Sequence, residues 1–290
     1  MGEQFNRYCD VTVQSKKLHG LDVEFRIDRS LKAAPNTCDI SIYNLSADTR
    51  AFLSGVKGGV VVKISAGYAG KGPLGAEANA ALGAIGLGED PPILYLGSLR
   101  ECTHLREGAD IITRISSGDG DELRKTPVSF SLGPGVNFKS AVQKIIGGIK
   151  TGAGNALDAL LKGDLSAAGN ALTGGTVIEG FAGDELRRLL ASANLEYSVQ
   201  NGQLQILPIG KALGDVAVKL TPSTGLVGSP EVGAKGKLKF RALLNQQIYP
   251  GRRLQFDSLG VRGVYRCDRV VYLGQTRGND WYADGEASPV

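Results

Sequence analysis

Residues that carry chemistry are scarce in this chain. Only two histidines, His19 and His104, occur in 290 residues. Neither belongs to an H-E-x-x-H motif or has a second histidine at helical spacing, which excludes a metalloprotease-type centre. His19 sits in a Lys-Leu-His-Gly turn and His104 between Thr103 and Leu105 in strand-like sequence. Both read as structural or solvated. The four cysteines, Cys9, Cys38, Cys102 and Cys267, lie far apart with no C-x-x-C pair. Zinc sites show close-spaced pairs, so the expectation is four buried thiols in a protein made in a reducing cytoplasm. No serine stands in G-x-S-x-G, which excludes a nucleophile elbow. No run of eighteen apolar residues occurs, and Met1-Gly2-Glu3-Gln4-Phe5 opens without an apolar signal region. A soluble chain with no membrane anchor and no cleaved signal is expected. Long basic stripes are missing too. The net charge is only +4, Lys16–Lys17 and Arg252–Arg253 read as solvated faces, and no specific nucleic-acid binding is expected.

Glycine is abundant: 41 residues, about twice the usual share. Glycine serves turns, bulges and close backbone approach, and the chain leans towards β structure. Asp22 to Asp28 alternates strictly, so Val23, Phe25 and Ile27 share one face, and Cys38 to Tyr43 repeats the pattern. Ser46 is a good N-cap for a short helix through Arg50, Phe52 and Leu53. Val60 to Tyr68, Ile93 to Leu99 and Ile111 to Ser116 read as strands. Residues 69–92, almost all Gly, Ala, Pro and Leu, read as a long loop inserted between two strands of a barrel. From Val136 the period becomes helical, through Ala141, Val142, Ile145, Ile146 and Ile149. Residues 150–175 are small and glycine-rich, with Gly-Asn-Ala-Leu at 154–157 and again at 169–172; a pair of weak helices fits them. Asp184 is expected to cap a helix carrying Leu186, Leu189, Leu190 and Ala193. Asn201-Gly202 between alternating runs is a hairpin signal. Strands dominate to the end, through Leu238–Leu243, Arg253–Phe256, Val264–Leu273 and Asp280–Glu286. The fold expected is mainly β with an α+β middle: a β-barrel domain over 1–130 carrying the insert 69–92, an α/β middle domain over 131–210, and a C-terminal β-barrel domain over 211–290. Trp281, the only tryptophan, is expected in the core of the last barrel or at a subunit contact.

Several strings resemble sites and fall short of them. Gly83 to Gly88 has the wrong order for G-x-G-x-x-G, and Glu89-Asp90 would repel phosphate. Ala69-Gly70-Lys71-Gly72 lacks the Ser/Thr of a phosphate loop. Ser117-Gly118-Asp119-Gly120-Asp121-Glu122 lacks the spacing of a calcium loop and reads as a tight turn with exposed acids. Cys102 and His104 share a strand face, as an acyl-transfer pair would, but nothing nearby supplies an oxyanion hole. Glu101, Glu107, Asp184 and Glu185 are candidates in principle for a glycan-cleaving carboxylate pair, yet any chain of this size offers such acids. No catalytic, cofactor-binding or metal-ligating residue is assigned, and no enzyme activity is expected.

Three strings point one way together: Thr113-Arg114-Ile115-Ser116-Ser117-Gly118-Asp119-Gly120; Thr224-Gly225-Leu226-Val227-Gly228-Ser229-Pro230-Glu231; and Val264 to Val270 with Gly274 to Tyr282. Between the second and third lie Leu243-Leu244-Asn245 and Pro250-Gly251-Arg252. In combination they resemble the tail hub and baseplate hub proteins of tailed bacteriophages, most clearly over residues 220–287 and moderately over 5–130. The resemblance implies a structural virion protein made in the host cytoplasm. Such hubs form trimers in which each subunit carries two tail-tube-like barrels, so that a threefold spike meets a sixfold tube. It also implies partners: the tail tube ring, a spike or tail-tip protein, other baseplate proteins and the tape-measure protein. The alternatives are a tail-associated cell-wall hydrolase and the hub of a bacterial phage-like injection system.

The insert adds an expectation of its own. Leu74, Leu82, Ile85 and Leu87 are too apolar for a solvated loop, and exposed apolar clusters of this kind mark partner surfaces. Replacing residues 70–90 with a short Gly-Ser linker should leave the isolated protein folded, because loop closure depends weakly on length. It should also block incorporation into tails. Circular dichroism and infectious yield check the two halves of this prediction.

Overall fold

A computed structural model describes residues 6–69, 93–149, 162–163 and 174–290. Ala69, expected at the start of the insert, ends the strand Val61–Ala69; residues 70–92 of the insert and most of the segment 150–175 lie outside the described residues, as do the expectations placed on them. The first third holds β1 (Asn6–Val13), β2 (Lys16–Leu18), β3 (Val23–Ser30), β4 (Asn36–Tyr43), α1 (Ala47–Gly55), β5 (Val61–Ala69), β6 (Ile93–Glu107) and β7 (Asp110–Asp119). The middle holds α2 (Asp121–Lys125), β8 (Pro127–Leu132), α3 (Phe138–Ile146), β9 (Lys162–Gly163), β10 (Thr176–Phe181), α4 (Ala182–Ala191), β11 (Leu195–Gln200) and β12 (Gln203–Pro208). The last third holds β13 (Val218–Leu220), β14 (Leu226–Val232), β15 (Leu238–Leu243), β16 (Arg253–Ser258), β17 (Val261–Gln275) and β18 (Trp281–Pro289). The protein is mainly β with an α+β middle.

Local signals form most of these elements. Val23, Phe25 and Ile27 point inward from β3 and face Ile42, Ile40 and Cys38 of β4. The Ser46 hydroxyl accepts from the Thr49 amide at 3.3 Å and starts α1. Asn201 and Gly202 both take positive φ, 53° and 75°, as a two-residue hairpin turn with the twist of its strands requires. They join β11 to β12 with Gln200 opposite Gln203. One cap differs from expectation. Helix α4 begins at Ala182 with Phe181 in the cap position, and Asp184 falls in its first turn beside Glu185. There the two carboxylates complement the positive end of the helix dipole. Strand β6 also runs eight residues past the expected end at Leu99, so Cys102 stands in a strand as the other cysteines do.

The strands of the first and last thirds form one sheet, ordered β14-β15-β18-β17-β3-β4-β7-β6-β5-β1-β2, with β13 and β16 attached at β17. One apolar cluster packs against one face of it, from Val11, Phe25, Ile40 and Ile64 to Phe240, Phe256, Tyr272 and Trp281. The sheet order contains a repeat. Strands β3-β4-β7-β6-β5 and β14-β15-β18-β17-β16 follow the same antiparallel path. Both halves carry a bulge at the same place, between Leu99 and Glu101 in β6 and between Cys267 and Arg269 in β17. Just past the bulge the cross-strand rows match: Glu101-Ser116-Asp39-Arg26 in one half, Arg269-Glu286-Lys239-Glu231 in the other. The halves meet where β17 pairs antiparallel with β3, from Arg269 opposite Ser30 to Gln275 opposite Glu24.

Trp281 lies across this junction. It is 1% exposed. Its ring meets Phe25 of β3 edge-on at 5.7 Å between centroids, and the Arg7 guanidinium stands 5.5 Å over it. Gly274, opposite Trp281 in β17, keeps the space open: a Cβ there would lie 2.2 Å from the Phe25 ring. The middle of the chain has a second core. Ala141, Val142, Ile145 and Ile146 of α3 pack with Leu186, Leu189 and Leu190 of α4 and with Tyr197, Leu204 and Ile206 of the hairpin. Removing a core aromatic costs about 3–5 kcal/mol. Trp281→Ala should therefore lower the melting temperature by roughly 10 °C, read by thermal denaturation followed in the far ultraviolet.

Candidate assembly interface

The outer face of the sheet is polar because every second residue of each strand must face out. Charges there pair across strands. Arg241 and Asp284 form a two-pronged ion pair, Nε to Oδ1 at 2.7 Å and Nη2 to Oδ2 at 2.8 Å. Arg269 donates to Asp28 at 2.9 Å and reaches Glu286 at 3.6 Å, which pushes its pKa further up. A shallow concavity of about 490 Å³ on this face is lined by Glu24, Arg26, Asp39, Glu101 and Arg114 among others. Acids and arginines alternate along it, so it offers a broad charged surface and no convergent set of groups.

Among the described residues, β6 and β14 present backbone edges on this sheet, as β2 and β13 do elsewhere along it. β5 leaves β6 at Ser98, and β7 covers the other side of β6 out to Glu107. Among the described residues no strand pairs with the first side from Glu101 to Glu107. β14 ends the sheet order with β15 on one side alone. Leu105 of β6 is 43% exposed, and Val227 and Val232 of β14 are 40% and 64% exposed.

The residues singled out in the sequence do not converge. Glu101 and Glu107 lie on β6, Asp184 and Glu185 on α4, and Glu107, Asp184 and Glu185 are ion-paired with Arg114, Arg187 and Arg188. His104 hydrogen-bonds Thr113 Oγ1 at 2.9 Å and Ser54 Oγ at 3.1 Å, so both ring nitrogens are engaged away from Cys102. Burial pushes the Cys9 thiol up to about 12, helped by Asp10, and raises Cys38, Cys102 and Cys267 as well. Protonated thiols are poor nucleophiles and poor metal ligands. His19 hydrogen-bonds Asp10, whose other oxygen pairs with Lys17 at 2.8 Å. Burial opposes ionisation of Asp10, but these two donors outweigh it and hold its pKa below the usual value. Among the described residues there is no cluster of three metal-ligating side chains and no helix long and apolar enough to cross a membrane.

The acids at 119–122 depart from the sequence expectation: Asp119 and Asp121 are buried and Glu122 is half-buried. The Arg100 guanidinium grips Asp121 at 2.7 and 2.6 Å across Gly118, where a Cβ would lie 2.3 Å from Arg100 Nη2. Glu122 accepts from Ser98 Oγ at 2.7 Å. Asp119 is 3% exposed and accepts from the Gly202 amide at 2.9 Å. It belongs to a buried polar joint that fastens the β11–β12 hairpin to the main sheet. In that joint Arg29 donates to Gln200 Oε1 at 3.0 Å and to the Leu94 carbonyl at 3.1 Å. Asn36 donates to the Val199 carbonyl at 2.6 Å, and Gln200 to the Ser30 carbonyl at 2.9 Å. A second attachment links Arg266 to Glu196 at 2.7 Å. The sequence did carry a signal for the joint. Arg29 continues the inward phase of Val23, Phe25 and Ile27, where a charge needs a partner.

No family model matches the chain, and no curated protein sequence does. Solved structures match over nearly its whole length, and they define a class: the chain has the fold of phage tail and baseplate proteins. A tail protein from Neisseria meningitidis is 11% identical with a TM-score of 0.65, covering 98% of this chain and 96% of that one. The 43 kDa tail protein of prophage MuSo2 from Shewanella oneidensis is 11% identical with a TM-score of 0.62, covering 97% of each. The particular fold within that class is the tail-hub one. An E. coli component of the type VI secretion system, described as similar to the bacteriophage T4 tail proteins gp27 and gp5, is 11% identical with a TM-score of 0.62. The match covers 97% of this chain and 76% of that one.

The joint has a consequence for stability. Burial raises the Asp119 pKa to about 6 against the opposing charge of Arg29 and the amide of Gly202. An unfolded aspartate titrates near 3.8. The folded protein therefore holds a proton between these values that the unfolded chain has lost. This contribution to stability is complete below about pH 4 and lost as the pH rises through about 6, a change of about 3 kcal/mol. Asp119→Asn removes the titration. Urea unfolding of both proteins at a series of pH values should show the difference moving in the variant's favour by that amount between pH 4 and pH 7.

Proposed function

We propose that this chain is the structural hub of a tailed phage or of a phage-like injection machine, a trimeric ring joining the tail tube to the central spike or tip. The observation that carries the reading is the internal repeat. One chain holds two copies of the same five-strand path, joined edge to edge through β17 and β3. Three such chains present six equivalent halves, so a threefold spike meets a sixfold tube without mismatch. In this reading residues 1–130 and 211–290 form the two tube-like barrel domains and residues 131–210 the middle domain between them. The partners are the tube ring, the spike or tip protein, neighbouring baseplate proteins and the tape-measure protein, and the place of action is the virion. The fold shared with a type VI secretion component supports the injection-machine variant of the same role.

The reading assigns the chain no chemistry of its own, in keeping with its scattered acids, its protonated thiols and the structural tail proteins that share its fold. Immunogold labelling of intact particles should place the protein at the end of the tail tube, above the spike. Incubated with purified peptidoglycan, the protein should release no soluble fragments above background. Label along the whole tube, or release abolished by mutating one acidic residue, would sink the proposal.

A further inference from the structure

The middle of the chain meets the sheet across a seam that belongs to neither large apolar core. Each core is closed on its own side, and only Leu31, Leu207 and Leu213 form a small buried cluster between them. The rest of the seam is polar. The tip of the β11–β12 hairpin, Val199 to Gly202, seats against β3, β4, β6 and the end of β7. The Leu96 amide donates to Asn201 Oδ1 at 3.1 Å, and the Gly202 amide to Asp119 Oδ1 at 2.9 Å. Gly120, at φ 96°, leaves the tip its place, because a Cβ there would lie 3.0 Å from the Val199 side chain. Further along the hairpin, Gln205 donates to the Pro250 carbonyl at 3.2 Å and Glu196 pairs with Arg266. One atom in the seat is not provided for: Asp119 Oδ2 is buried and has no hydrogen-bond partner among the described residues. We propose that the hairpin tip and its seat form a proton-controlled latch: with Asp119 protonated the middle of the chain is seated on the sheet, and with Asp119 ionised it lifts away while both large apolar cores stay closed.

The groups around Asp119 set the direction. Arg29 of β3 is the charge that favours its ionised form, and its donors are directed at Gln200 and the Leu94 carbonyl. Tyr95 of β6 and Cys38 of β4 are held neutral, because burial raises both. Arg100 of β6 is taken by Asp121 of α2. The hairpin tip brings Val199, Gln200, Asn201 and Gly202, none of which titrates. A buried carboxylate whose second oxygen is unbonded forfeits solvation that a lifted tip restores, and a neutral carboxyl forfeits much less. Burial accordingly outweighs Arg29 and the polar groups of Gly202, Asn201 and Asn36, and Asp119 is raised to about 6 when seated. An exposed aspartate titrates near 3.8. The seated form therefore binds the proton more tightly: seating is strongest below about pH 4 and weakens as the pH rises through about 6. Helix α2 serves as the pivot, clamped to β6 by the Arg100–Asp121 pair and by the Ser98–Glu122 hydrogen bond. The chain returns to the sheet past Gly210, a second glycine at positive φ, 79°.

The Gly202 and Leu96 amides donate across the seam, so their hydrogen exchange, followed residue by residue, reads the latch. Corrected for the exchange of an unstructured chain at the same pH, protection at both should fall about a hundredfold from pH 4 to pH 7. At every pH it should stay at least tenfold below the protection of Phe25 in β3, which opens only with the sheet. Asp119→Asn keeps an acceptor for Gly202 and cannot ionise. Its protection at Gly202 and Leu96 should change less than threefold over the same range. Equal protection at Gly202 and Phe25 overturns the latch, since the seam then opens only when the whole protein unfolds. Protection at Gly202 and Leu96 that is independent of pH in the unaltered protein overturns it as well. Both of these outcomes are read without the variant and hold whether or not Asp119→Asn folds. A variant that folds and loses protection with pH as the unaltered protein does assigns the titration to another group and overturns the role of Asp119.

Discussion

The structure depends on seven residue pairs between β17 and β3, from Arg269 opposite Ser30 to Gln275 opposite Glu24. These are the contacts that make the first and last thirds one sheet over one core. They span more than two hundred residues of sequence, so their ordering entropy is met by burial against the apolar cluster. Trp281, Phe25, Ile27 and Tyr272 are all buried there, and Gly274 leaves the Phe25 ring its space.

The middle of the chain is held differently. Its own core of α3, α4 and the β11–β12 hairpin is apolar and self-contained, while its joint to the sheet is polar and buried, through Arg29, Asn36, Asp119 and Gln200. Hydrogen bonds of this kind contribute little net attraction but make misplacement costly, because each buried group left without its partner loses its solvation. The apolar sheet sets how the halves lie together, and the polar joint sets where the middle sits on them. One carboxylate in that joint, Asp119, has its pKa raised to about 6 by burial, so its charge above that pH is unfavourable. Position is what it supplies in return.

The groups that could do chemistry are spread over the fold and engaged where they stand. The cysteines are raised by burial, His104 is held between Thr113 and Ser54, and three of the candidate acids, Glu107 on β6 and Asp184 and Glu185 on α4, are held by arginine partners. What the described residues do present is surface: a broad face of paired charges and, among the strand edges, those of β6 and β14 with exposed Leu105 and Val232. Both kinds of feature suit contact with another protein surface.

Local pattern determined much of this in advance. Strict alternation at Val23–Ile27 and Cys38–Ile42, the Ser46 cap, the helical spacing from Ala141 to Ile146 and the Asn201-Gly202 turn all act over a few residues, where side-chain period and backbone sterics suffice. The combined strings near residues 113–120, 224–231 and 264–282 pointed to the tail-hub fold, which the solved structures share. Tertiary structure alone decided three things. It set Asp119 and Asp121 inside rather than on an exposed turn, because the distant β11–β12 hairpin binds Asp119 and Arg100 of β6 binds Asp121. It extended β6 to Glu107, because β7 supplies hydrogen-bond partners that local sequence cannot announce. And it joined β17 to β3 with the rows in register, which exposes the repeat. Strand partners are chosen by long-range burial and by matching bulges, and neither leaves a periodic trace within one strand.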